Sequence, residues 1–129
     1  RDGLSVNEAL DAPMMLAVFI ELPEEAAGEF VDWYQTEHTP IVLSSPLWRM
    51  VRHMKIVDAD PNPFTHTFLH YVESEDVFES DVLAAARATD WRNRLAQNDW
   101  FKTHAVHYHR HGKRYHKAEP EAATFKLDL

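Results

Sequence analysis

The sequence predicts an α+β domain in the order β-α-β-β-α-β. Three observations lead there. Runs rich in strand formers recur four times, over residues 14–22, 48–57, 65–73 and 102–110. Two stretches with helical spacing lie after the first and third of these runs. The chain has 129 residues, 45% of them hydrophobic, which suits one packed core and leaves little room for a second.

Residues 1–12 are polar and weakly patterned and read as an arm ahead of the first regular element. The run MMLAVFIEL at 14–22 is apolar on both faces, with Leu16, Val18 and Ile20 pointing one way and Met15, Ala17 and Phe19 the other. Pro23 ends it and, with Glu24 and Glu25, opens a helix: proline suits the first turn and acids complement the positive end of the dipole. Ala26, Ala27, Phe30, Tyr34, His38 and Ile41 follow at helical spacing. Pro40 disturbs the end of this helix, so it is expected over about 24–37, with an irregular turn or short helix to 45.

The second strand run has mixed faces. The turn 58–63, Asp-Ala-Asp-Pro-Asn-Pro, joins it to the third as a hairpin with a longer loop. Ser74 caps the next helical stretch, whose apolar side is Val77, Phe78, Leu83, Ala84 and Ala88. Thr89-Asp90 breaks it before a second short helix through Trp91 and Leu95. The fourth strand run ends at Gly112, and 113–129 read as a polar tail. The domain proper is therefore 13–112. This order is the ferredoxin-like split arrangement, with two helical regions on one face of a four-stranded sheet. Phe19, Val51, Phe68 or Leu69, and Val106 are expected on the other face. An apolar face of that size calls for a second copy related by a two-fold axis, hence a homodimer.

Several functions are disfavoured by composition. Asp and Glu outnumber Lys and Arg by 21 to 13, for a formal charge of −8, which opposes nucleic-acid binding and attachment to anionic membranes. No apolar run approaches the roughly 20 residues of a membrane span. The chain has no cysteine, so thiolate chemistry and disulfides are excluded, and a cytoplasmic location is expected. A Gly-rich phosphate loop and a Gly-x-Ser-x-Gly nucleophile elbow are both missing from the sequence.

The run FVDWYQTEHTP at 30–40, following a first strand and an acidic helix start, resembles the dimeric α/β-barrel superfamily, and within it the EthD-like branch. The shared features are Trp33, Tyr34, Glu37, His38 and Pro40. The likeness in element order spans about residues 13–112. It implies a barrel built from the sheets of two subunits, each with its own pocket. It also implies largely cofactor-free chemistry of isomerase, cyclase or lyase type on small aromatic, lactone or polyketide-like carbonyl compounds, as in aromatic catabolism. The long second helical region, the histidine-rich last strand and the tail depart from the EthD-like pattern.

His38 is the leading candidate for acid/base work, because an imidazole exchanges protons near neutral pH. The alternative is a helix-ending histidine that only bonds the last carbonyls. Tyr34, one turn earlier on the same face, could donate to a carbonyl or enolate oxygen. Glu37 could orient the His38 ring where the helix unwinds. His66 and His70 share one parity of the third strand with Phe68, and His53 shares a parity of the second strand with Lys55. Of these, His70 is preferred as a second acid/base group, with His53 and His104 as pocket residues. Trp33 and Phe19 are candidate walls, and Arg52 or Arg92 could pair with a substrate carboxylate.

His107, His109 and His111 alternate on one face, a spacing that three-imidazole metal sites can use. An extended run seldom converges on one ion, and no acidic cluster supports it, so neither a metal nor a cofactor is expected. The competing functions are a haem- or metal-dependent oxidoreductase and a non-catalytic small-molecule-binding subunit.

Overall fold

The structure is a computed structural model that describes residues 3–61, 63–115 and 117. Chain order is α1 (Val6–Leu10), β1 (Met14–Ile20), α2 (Glu24–Trp33), a π-helical turn (Tyr34–His38), α3 (Thr39–Leu43), β2 (Trp48–Lys55) and β3 (His66–Val72). A 3-10 turn (Glu75–Glu79), α4 (Asp81–Ala86), α5 (Asp90–Leu95), a second 3-10 turn (Asp99–Thr103) and β4 (Ala105–Arg110) complete it. The sheet is antiparallel, in the order β2-β3-β1-β4.

Two local readings change. The expected N-terminal arm holds α1, whose capping box is reciprocal: the Ser5 side chain accepts from the Glu8 N–H and the Glu8 carboxylate accepts from the Ser5 N–H. Its Ala9 is buried. The fourth strand begins three residues later than the sequence pattern suggests, because 102–104 complete the preceding turn. Most of the expected tail lies outside the described residues, including Phe125, Leu127 and Leu129.

Strand alternation divides the side chains between two faces. In β1, Met14, Leu16, Val18 and Ile20 face the helices and pair across β3 with Val72, His70, Phe68 and His66. The facing row of β4 includes Val106 and Tyr108. In β2 the parity changes: Trp48 pairs with Val72, but Met50 pairs with Tyr71 and Val51 with His70. Arg49 is the extra residue of a β-bulge, so Trp48 and Val51 share a face although an odd number separates them. Arg49 itself grips Glu73 with two bonds, at 2.6 and 2.7 Å, across the sheet edge. Val51, Phe68 and Val106 therefore lie on the helix-covered face, not on the open one. The open face carries Met15, Ala17, Phe19, Met50, Arg52, Met54, Thr67, Leu69, Tyr71, His107 and His109.

Two apolar clusters fill the space under the helices. One gathers Met14, Leu16, Val42, Trp48, Val72, Val77, Leu83 and Ala86. The other gathers Ile20, Leu22, Phe30, Trp33, Tyr34, Phe68, Leu95 and Phe101. Burying each large side chain contributes about 1.5–3 kcal/mol.

Candidate functional site

The site grows out of the end of α2. In a regular helix Pro40 would lack its N–H bond and press on the carbonyl of Thr36. The chain instead widens into a π turn, in which the Thr39 N–H donates to the Tyr34 carbonyl. Helix then continues through Pro40 to Leu43, within the irregular turn or short helix expected to 45. The wide turn sets the Tyr34 and His38 rings 4.7 Å apart and both against the sheet. It also brings the Glu37 carboxylate back onto Trp33, whose Nε1–H donates to Oε2 at 2.7 Å. The Thr89 hydroxyl donates to the same oxygen at 3.0 Å, tying this turn to the start of α5.

Tyr34 stacks on Phe68 with ring centres 3.7 Å apart. Its hydroxyl meets Nε2 of His70 at 2.5 Å. The Trp48 indole N–H donates to Nδ1 of the same ring at 3.1 Å. An indole nitrogen can only donate, so Nδ1 of His70 is a lone pair and Nε2 carries the proton of the neutral ring. His70 thus donates to the Tyr34 oxygen and leaves the phenolic proton free for another acceptor. Protonating His70 would set an N–H against the Trp48 N–H. Burial first, then the neighbouring His38 and Arg87, push His70 down to about 3. Burial pushes the Tyr34 phenol well up, against a smaller pull from Arg87, so it stays a neutral donor.

His38 is 7% exposed, and its Nδ1 has no hydrogen-bond partner. The Ala86 backbone bonds the ring in the sense that favours its charged form, as a carbonyl does. Burial, then the Arg92 guanidinium, push His38 down to about 4; Ala86 opposes this and Arg87 adds to it.

Trp33, Tyr34 and His38 line a cavity of about 230 Å³ between sheet and helices, together with Val18, Ile20, Phe30, Phe101, Val106, His104, Arg87 and Arg92. His104 donates from Nδ1 to the Phe101 carbonyl at 2.6 Å, which fixes Nε2 as an acceptor. The structure therefore brings Tyr34, His38, Trp33 and His104 to one cavity, with His70 behind Tyr34.

The other candidate residues fall elsewhere. Phe19 and Arg52 are on the open face, where Phe19 packs on Phe64 and His107. They are opposite in parity to the cavity-lining Ile20 and Val18. His53 is an exposed edge residue stacked on His66 and Phe68. Glu37 is occupied by Trp33 and Thr89 and does not orient His38. The run of three histidines is divided. His107 and His109 lie on the open face with rings 6.4 Å apart, while His111 leaves the strand and bonds the Ala12 carbonyl at 2.9 Å. Among the described residues no three His, Asp or Glu side chains are grouped to hold a metal. Sequence reading missed Arg87 and the Trp48–His70 bond; neither has a local signal.

No protein-family model matches the chain. No curated protein matches it either. Solved structures do. A conserved protein from Methanosarcina mazei Go1 superposes with a TM-score of 0.54 at 14% identity, covering 77% of this chain and 92% of that one. Hydroxynitrile lyase from Passiflora edulis superposes with a TM-score of 0.51 at 11% identity, covering 79% and 95%. The chain has the ferredoxin-like fold. It is also similar to an EthD family protein from Bacillus halodurans, at 18% identity and a TM-score of 0.48, covering 77% and 98%. At these identities the ferredoxin-like fold is what is shared, and at least one enzyme is built on it.

Proposed function

We propose that the chain is a cofactor-independent enzyme that moves a proton on a small, largely apolar carbonyl or phenolic substrate, in a reaction of lyase, isomerase or cyclase type. One observation carries this reading: a neutral imidazole with an unpartnered Nδ1, His38, sits beside a phenol whose proton is left free, Tyr34, on the wall of one aromatic cavity. Burying an imidazole nitrogen without a partner costs free energy that packing alone does not explain. In this reading the His38 imidazole accepts the substrate proton. The Tyr34 hydroxyl donates to the oxygen on which negative charge develops. His70 and Trp48 position Tyr34, and His104 offers a second acceptor in the same cavity. A low-pKa base is fully deprotonated at neutral pH, although its driving force for taking a proton is correspondingly small.

The fold's use by a hydroxynitrile lyase makes cyanohydrins a sensible first probe alongside enolisable ketones. With a cyanohydrin, the base takes the hydroxyl proton and the carbon–cyanide bond breaks. Its electron pair leaves on cyanide, and the protonated base reprotonates the cyanide. The test is aldehyde release from mandelonitrile, and deuterium exchange at the α-carbon of aryl ketones. His38→Gln should lower the rate of whichever reaction is observed about 100-fold or more, and Tyr34→Phe about 10–100-fold. A His38→Gln chain that turns over at the wild-type rate sinks the assignment.

A further inference from the structure

We propose that Arg87 and Arg92 form a clamp for a carboxylate, so that the ligand of this cavity is a small aromatic acid. The inference deepens the acid/base reading above and rests on it for the site's purpose, but its test reads binding alone. The two guanidiniums come from separate elements: Arg87 closes α4, and Arg92 lies in α5. Both line the cavity. Arg92 donates to the Arg87 backbone carbonyl at 3.3 Å and lies over the Phe101 ring at 5.1 Å, so its fork is held in place.

Neither guanidinium forms an ion pair among the described residues. The carboxylate at this corner, Glu37, is taken up by Trp33 and Thr89. Two like charges, one of them half-buried, thus face a cavity with no anion to compensate them. In a chain of formal charge −8 this is a local exception, and a bound anion removes the repulsion. Planar guanidinium forks match a planar carboxylate, and the remaining wall of Phe30, Phe101 and Trp33 suits one flat ring. The volume of about 230 Å³ is sufficient for a single-ring acid.

A carboxylate here also acts on His38. The titratable groups facing that ring are Tyr34 and His70, both neutral, and the two arginines, with the Trp33 indole also beside it. Neutralising the arginines lifts part of what holds the imidazole in its uncharged form. His38 then becomes a stronger base when the acid is bound and stays a weak one when it is not.

The experiment titrates the isotopically labelled full chain with benzoate and with its neutral isostere benzamide, following histidine ring signals by NMR. Benzoate should bind about tenfold or more tighter than benzamide and raise the His38 titration midpoint. Arg87→Gln, at an exposed helix end where the fold does not depend on it, should weaken benzoate about fivefold or more and leave benzamide unchanged. Arg92→Gln should do the same and Arg92→Lys should weaken it less. Equal binding of the two probes overturns the proposal. So does benzoate affinity unchanged in Arg87→Gln, an unmoved His38 midpoint at saturation, or no benzoate binding at about 10 mM. His38→Gln keeps the clamp and should still prefer benzoate. A protein with that preference and no turnover loses the reaction proposed above and keeps the clamp; the reverse result loses the clamp alone.

Discussion

The two faces of the sheet treat their polar residues differently. On the helix-covered face, His66 and His70 are buried, and each has a ring nitrogen bonded to the protein. On the open face, Arg52, His107 and His109 are exposed among Met15, Phe19, Met54 and Leu69. What separates the faces is therefore partnership and not polarity. A polar group can enter the covered face when its bonds are met there. Among the described residues three buried polar atoms lack a partner, His38 Nδ1, Thr67 Oγ1 and Trp91 Nε1, and of these residues only His38 also lines the aromatic cavity.

The comparison is broken most severely by truncating matched aromatics. Phe68 is 2% exposed between Tyr34 and His53. Phe68→Ala should destabilise the chain by about 3–5 kcal/mol in urea unfolding, by lost transfer energy plus a cavity. Phe19→Ala, on the open face, should cost about 1 kcal/mol when measured below the concentration at which copies associate. Equal costs would mean that the open face is as tightly packed as the other.

The open face sharpens the comparison in a second way. We propose that it is covered by a second copy, because Met15, Phe19, Met54 and Leu69 present apolar side chains on a face that no described helix of the chain covers. A carboxylate at its centre would then be buried. Leu69→Glu should weaken self-association about 100-fold, equivalent to about 2.7 kcal/mol, with the circular dichroism spectrum unchanged. Sedimentation equilibrium reads it. A wild-type chain that is monomeric at about 50 µM sinks the pairing.

The covered face was partly legible from the sequence. In β1 both parities are uninterrupted, so the division of Leu16, Val18 and Ile20 from Met15, Ala17 and Phe19 follows from strand period alone. In β2 it does not, because the Arg49 bulge reverses the parity between Trp48 and Val51. That reversal places Val51, expected on the open face, beneath the helices beside Trp48. Ser5-x-x-Glu8 was a readable helix start within the supposed arm. Pro40 signalled the disturbance at His38 but not its form, since a π turn and a helix end look alike until the neighbouring chain decides. The Trp48–His70 bond depends on pairing across β2 and β3, and the placement of Arg87 on the meeting of α4 and α5. Both are products of tertiary register and leave no local trace.

The smallest effect tests the covered face through pH. His38 and His70 have folded-state values pushed down to about 4 and about 3 from an ordinary 6.5. Below pH 6.5 the unfolded chain takes up protons that the folded chain does not, so stability falls as pH drops. Each histidine contributes a slope of about 1.4 kcal/mol per pH unit, fully developed between its folded and unfolded values. Carboxylates add their own slope nearer pH 4, so the informative window is pH 6 to 5. There, urea unfolding of His70→Gln should show a shallower dependence than wild type by about one such slope, whatever its absolute stability. His38→Gln should show the same reduction. Glutamine can both donate and accept, which lets it occupy the place between Tyr34 and Trp48 without taking a proton. An unchanged slope in His70→Gln would mean that this ring accepts its proton while folded. The Trp48 N–H would then not be the donor that fixes its tautomer, and Tyr34 would lose the partner that leaves its own proton free for substrate.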